Sequence, residues 1–127
     1  MKITHIAILL SLTLLVVGCG DSRVNVNDIQ ERNGKVYLPN SQEPFSGTVF
    51  AVYSDLGEGF GQTKSETQYE DGIKHGEALT YHENGQLESK VTYKNGELDG
   101  PFVSYHGNGQ IEWKGDYEDG KKDDTWV

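Results

Sequence analysis

The chain has 127 residues, of which 20 are acidic and 11 basic, so it carries a net charge of -9 at neutral pH. Such an acidic chain repels phosphate backbones, and no basic stretch is interleaved with its aromatic residues, which excludes nucleic acid as a partner. The length suffices for one small domain, and the single cysteine, Cys19, excludes an internal disulfide.

Residues 1–19 predict a targeting segment that is not part of the fold. Lys2 supplies a positive start, and the apolar run from Ile6 to Val17 is shorter than the ~20 residues of a spanning helix. The run ends in a motif that resembles the lipobox of bacterial lipoproteins, made of Val16, Val17, Gly18 and Cys19.

That resemblance implies cleavage before Cys19 and attachment of lipid to its thiol and amine. The protein would then be a bacterial membrane-anchored lipoprotein that faces the periplasm or the cell exterior, since two or three acyl chains give firm anchoring. Gly20 in the position after the cysteine favours the outer membrane in a host with two membranes. An uncleaved short anchor, or an ordinary signal peptide with a chance cysteine, remains open.

The next segment, residues 20–32, is polar and free of aromatic residues, and it predicts a flexible tether. Residues 33–127 predict one β-domain, which begins with an entry hairpin at Asn33-Gly34 and a degenerate repeat over 37–68. This repeat contains a glycine-rich insertion, 54–62, with Phe60 near its end. Loops often carry binding function, so Phe60 is a possible binding residue, although an extended hairpin loop without consequence is the favoured explanation of the insertion.

Two consecutive copies of one 24-residue unit follow, at residues 69–92 and 93–116. Ten of the 24 positions are identical, among them the Asn-Gly-Gln triplet at 84–86 and 108–110. A partial third copy occupies 117–127. Self-similarity at this period is typical of an array in which each unit packs only against its neighbours.

Within each unit, short runs with period-2 alternation are separated by Asn-Gly or Asp-Gly pairs, which favour type I′ hairpin turns. The turn at 83–86 predicts a tight hairpin, and the longer segment 71–76 predicts the connection to the next hairpin. The predicted fold is therefore all-β: an elongated, single-layer antiparallel β-meander of 24-residue hairpin repeats that follows a signal helix and a tether.

The alternation predicts that one face of this sheet carries a row of aromatic side chains, with Phe102 and Trp126 on the other face. The row is a candidate binding face for a peptide, a glycan or a partner sheet, because tyrosine offers a large contact area. Cross-strand packing that only holds the sheet together is the alternative. The row consists of Tyr69, Tyr81, Tyr93, Tyr105, Trp113 and Tyr117.

No catalytic, metal or cofactor site is predicted. His82 and His106 occupy equivalent positions, but two strands separate them, about 10 Å, which is too far for two ligands of one zinc ion. The acidic turns lack a calcium-loop motif, and the glycine-rich loop precedes no helix that could bind phosphate. The chain is therefore expected not to be an enzyme.

The unit resembles the variant MORN repeat, which in bacterial proteins combines a Tyr-x-Asn-Gly start with a Glu-Asn-Gly-Gln-Leu turn. Such proteins are often grouped with the YwqK-type antitoxin family. The resemblance covers about residues 37–127. Together with the lipobox-like motif, it favours a non-catalytic cell-envelope module that binds a protein or a polymer such as a glycan. An antitoxin or immunity protein that neutralises a toxin is the alternative.

Overall fold

The computed structural model describes residues 22–53 and 61–127, and in these ranges the chain is almost entirely β-structure, as predicted. The predicted signal segment with its lipobox at Cys19, and the loop residue Phe60, lie outside the described residues. A single 3-10 turn spans Val26–Asp28. The strands are β1 Arg23–Asn25, β2 Gln30–Arg32, β3 Lys35–Tyr37, β4 Gly47–Val52, β5 Thr63–Glu70, β6 Ile73–Tyr81, β7 Leu87–Lys94, β8 Glu97–Leu98, β9 Gly100–Tyr105, β10 Ile111–Glu118 and β11 Lys121–Lys122.

Nine of these strands form one sheet in the order β1-β4-β5-β6-β7-β9-β10-β11, with β8 also paired to β7. From β4 onward all neighbours are antiparallel, as predicted for a meander. The prediction was wrong at one edge, where β1 pairs with β4 in parallel and the sheet becomes mixed. Strands β2 and β3 form a separate hairpin.

The predicted tether, residues 20–32, is largely part of the fold. Its residues from Arg23 to Arg32 include strands β1 and β2, and the carbonyl of Ser22 already accepts a hydrogen bond from the Thr48 amide, 2.8 Å away. Tertiary contacts explain the difference, because Val24 and Ile29 pack against the core, whereas the segment has no alternation of its own. Only Gly20 and Asp21 separate Cys19 from this hydrogen-bonded segment.

The two turn types are also distributed differently from the prediction. Asp71 (φ 50°) and Gly72 (φ 78°) both lie in the left-handed region, and Glu70 pairs with Ile73, so a two-residue turn joins β5 to β6. The predicted long connection over 71–76 is therefore a tight turn. Strand β6 begins immediately after it and continues through Gly76 (φ 102°), near which its pairing with β5 shifts register.

The turn at Asn84-Gly85 is not type I′, because only Gly85 has a positive φ, 86°. The Gly85 amide donates to the His82 carbonyl (2.9 Å) and the His82 amide donates to the Gln86 carbonyl (2.8 Å), which closes a three-residue loop. The Asn84 side chain accepts from the Gln86 amide at 2.9 Å and so stabilises the turn locally. The turn at 106–110 repeats the same bonds.

Three β-bulges recur at the repeat period and change which side chains share a face. Lys64, Glu88 and Glu112 are the extra residues on β5, β7 and β10, where two residues oppose one on the neighbouring strand. Each bulge reverses the alternation along its strand. A strict alternation read from the sequence therefore assigns side chains to the wrong face of the sheet either before or after each bulge.

The core lies at the β1 end of the sheet, where the β2–β3 hairpin forms a second layer. Val36, Phe45 and Val49 are the buried hydrophobic residues of the described part of the chain. The single-layer prediction therefore holds for the later repeats but not for this end. None of the helical segments in the described residues is long and apolar enough to cross a membrane.

Candidate interaction surfaces of the sheet

Directly paired residues of neighbouring strands place their side chains on the same face, so the register divides the sheet into two faces. The core face contains Val49, Thr67, Ala78 and Val91, and the β2–β3 hairpin covers part of it. The opposite face is called the open face. A row of directly paired residues crosses it, namely Phe50, Glu66, Leu79, Lys90, Val103 and Lys114.

The predicted aromatic row does not lie on one face. Tyr81 pairs with Leu87, but the bulge at Glu88 puts Ser89 opposite Thr80, on the other face. The open face therefore holds Tyr81 and the equivalent Tyr105. The core face holds Tyr69, Tyr93, Trp113 and Tyr117.

Two of the core-face tyrosines are used for packing. Tyr69 contacts the buried cluster beneath the β2–β3 hairpin. The Lys74 ammonium lies 5.1 Å from the centroid of the Tyr93 ring, a cation–π distance. Burial, and to a smaller extent the nearby Glu31 carboxylate, raises the pKa of Tyr69 above 10.0. The alternative of cross-strand packing therefore describes these two residues better than a binding face.

Tyr69→Phe is expected to protect the fold at alkaline pH. Because its pKa is raised in the folded state, the phenol favours folding below pH 10, and this contribution is lost as the pH rises through the folded value. The variant keeps the ring but cannot ionise, so above pH 10 it should retain structure to a higher pH than the parent. Circular dichroism during an alkaline titration measures this. Glu31→Gln should shift the transition in the same direction by less, and an unshifted transition in Tyr69→Phe would contradict the argument.

An aromatic cluster closes the far end of the core face. The Trp126 ring stacks on Phe102 at 4.8 Å and meets Tyr117 edge-on at 5.1 Å. Lys122 lies over the Trp126 ring at 4.2 Å, and the same ring covers Gly115, where a Cβ atom would lie 2.7 Å from it. Phe102 and Trp126 were predicted on the face opposite Tyr117, which was wrong because Phe102 pairs with Gly115, two residues before Tyr117 on β10.

Strand β10 presents the most exposed large hydrophobic side chains of the sheet. Trp113, on the core face, is 53% exposed, and Ile111, on the open face, is 56% exposed. Their equivalents in the preceding repeat, Ser89 and Leu87, are only partly exposed beside β9. Of the predicted aromatic row, Trp113 is therefore the residue most accessible to a partner.

The open face carries an apolar stripe that includes Tyr81 and Tyr105 of the predicted row. None of the stripe residues is buried. Three pairs repeat at a spacing of 24 residues: Leu79 with Val103, Tyr81 with Tyr105 and Leu87 with Ile111. This periodic spacing was the available signal. The complete stripe consists of Phe50, Val52, Leu79, Tyr81, Leu87, Val103, Tyr105 and Ile111.

The equivalent histidines belong to the turn edge of the sheet. One ring nitrogen of His82, Nε2, lies 2.9 Å from the Tyr105 carbonyl oxygen, and Asn84 Nδ2 donates to the Gly107 carbonyl at 2.9 Å. These bonds join one hairpin turn to the next. Among residues 22–53 and 61–127, no group of three or more His, Cys, Asp or Glu side chains is arranged to hold a metal ion.

Comparison with known proteins agrees with the hairpin organisation. The family model described as a MORN repeat variant matches residues 74–95, which span β6, its turn, β7 and the start of the next turn. No curated protein and no solved structure matches the chain. The second hairpin, which shares ten positions with the first, was not part of the match. The chain therefore contains a repeat of the MORN variant type at residues 74–95.

Proposed function

We propose that this protein is a non-catalytic interaction module of the bacterial cell envelope. The observation that carries the proposal is the exposure of Trp113, 53%, on the core face of the last complete hairpin. Tryptophan is among the residues that contribute most to binding energy at protein interfaces. The MORN-type repeat at 74–95 supports an interaction role, and the partner is a protein or a glycan of the envelope.

The lipobox-like motif at residues 16–19 supports attachment of the module to the membrane through lipid on Cys19. A net charge of -9 would repel anionic head groups, so the lipid and not the protein surface would hold the module at the bilayer. Under this proposal the repeats lie in the periplasm or outside the cell, on the outer membrane in a host that has two membranes.

Crosslinking and pull-down from intact cells with the full-length protein tests the partner. Trp113→Ala is expected to reduce recovery of the crosslinked partner roughly 30-fold, because a tryptophan anchor contributes about 2 kcal/mol or more. Val26→Ala is the matched control, since Val26 is 44% exposed but lies near β1. Equal recovery with Trp113→Ala and the parent would rule out Trp113 as the anchor.

A toxin-neutralising immunity protein is the second candidate. The excess of acidic residues supports it, since an acidic surface attracts a basic partner and accelerates its association. Under this candidate the pull-down would recover one basic, toxin-like protein, and raised salt would weaken its binding. Recovery of envelope proteins or glycans without such a protein would eliminate it.

A further inference from the structure

The open face is an uncovered apolar surface on a sheet whose core is small. Its stripe contains eight apolar side chains, as defined above, and Ile111 is 56% exposed. Sheets are stable when their apolar face packs against another layer. The β2–β3 hairpin provides that layer only on the core face, so in the described residues no second layer covers the stripe.

The charges of the open face indicate what can cover it. Outside the bulges, the strands place six acidic and five basic residues on this face, which leaves a charge of about -1. The acidic residues are Glu66, Glu70, Glu77, Glu97, Asp116 and Glu118, and the basic ones are Arg23, Lys90, Lys94, Lys114 and Lys121. Arg23 pairs with Glu66, and Lys90 Nζ lies 2.6 Å from a Glu77 carboxylate oxygen. The face is thus close to neutral, although the whole chain has a charge of -9.

This balance favours a second copy of the same chain over a charged partner. Two acidic chains repel each other over most of their surfaces, but the neutral open faces can approach without that cost. A basic protein would instead be drawn to the acidic turns. In a two-fold arrangement the stripe meets itself, and the repeated pairs allow Tyr81 and Leu87 of one copy to face the equivalent Tyr105 and Ile111 of the other.

The size of the face is adequate for such a contact. From β1 to β10 it spans seven strands, about 29 Å, and a strand of six residues is about 20 Å long. The projected area is therefore roughly 600 Å², and side chains increase the accessible area toward the ~800 Å² per partner of a standard interface. Two flat sheets also pack face to face, about 10 Å apart.

We propose that the open face is the interface of a homodimer in which two copies of this chain pack sheet on sheet. The stripe forms the apolar centre of this interface, and the paired charges beside it form part of the rim. The contact is independent of the partner bound at Trp113, which lies on the other face. Dimerisation therefore leaves the core face free for that partner.

The test is the mass of the full-length protein in mild detergent, determined by light scattering that separates protein from detergent. The parent should have twice the mass of one chain. Ile111→Glu should raise the dissociation constant of the dimer on the order of 100-fold, since a two-fold interface loses the side chain twice. Trp113→Glu is the matched control, because Trp113 is similarly exposed on the same strand but on the core face.

A second variant covers the case in which Ile111→Glu fails to fold. Val103→Glu places a carboxylate between Lys90 and Lys114, so the monomer gains ionic partners while the dimer loses an apolar contact. The Val103→Glu protein should therefore have the mass of one chain. The proposal is overturned if the parent has the mass of one chain at every concentration, if both open-face variants remain dimeric, or if Trp113→Glu dissociates the dimer equally.

Discussion

Gly72→Ala is expected to destabilise the fold by about 2 to 5 kcal/mol, more than a methyl group added at any other turn glycine of the described residues. An alanine at a φ of 78° costs ~1 to 2 kcal/mol by itself. Its Cβ would also lie 2.9 Å from Lys35 Cβ and 3.0 Å from Pro44 Cβ, and such overpacking costs about 1 to 3 kcal/mol more.

The position matters because Gly72 joins the two layers. Its amide donates to the Phe45 carbonyl at 2.7 Å, and its carbonyl accepts from the Val36 amide at 2.9 Å. A shift of the turn weakens both bonds and loosens the β2–β3 hairpin over the buried cluster. Removal of this cover exposes the hydrophobic residues that the described part of the chain buries most completely.

Gly120→Ala separates the backbone strain from the clash. Gly120 has the same φ, 78°, in an equivalent turn, but a Cβ there meets nothing within 4 Å. This variant should lose only about 1 to 2 kcal/mol. Urea unfolding followed by circular dichroism measures both variants, and equal losses would show that the packing around Gly72 contributes nothing.

The local features of the fold were predictable because they depend on neighbours in the sequence. Repeats of 24 residues with Asx-Gly pairs indicated hairpins, and β5 to β10 form them. The two-residue turns at Asp71-Gly72 and Asn95-Gly96 have positive φ at both residues, as type I′ turns require.

The features that depend on distant contacts were not predictable in this way. Strand β1 forms because Val24 packs against the cluster around Val49. No pattern within residues 20–32 indicates this contact. A bulge likewise depends on which residue of the neighbouring strand is skipped. The bulge at Glu88 therefore placed Tyr81 and Tyr93 on opposite faces, and the predicted binding face became two surfaces.

Cys19→Ala is expected to abolish lipid labelling and to move the protein from the membrane fraction to the soluble fraction. Lipid on Cys19 is the proposed anchor, and the apolar run before it is shorter than a spanning helix. Metabolic labelling with a fatty acid and fractionation of cells measure the two effects. Ser22→Ala is the control, because Ser22 bonds to the sheet through its backbone carbonyl.

The segment between the proposed lipid on Cys19 and the sheet is short, which determines how the sheet would lie at the membrane. Only Gly20 and Asp21 separate Cys19 from Ser22, so an extended chain covers about 10 Å between these two residues. A lipid on Cys19 would therefore hold the β1 edge next to the bilayer, with Trp113 on β10 six strand positions away along the sheet, about 29 Å. Retention of Cys19→Ala in the membrane fraction without lipid would instead identify the apolar segment as the anchor. The attachment point would then lie further from β1, and the sheet would no longer be held so close to the bilayer.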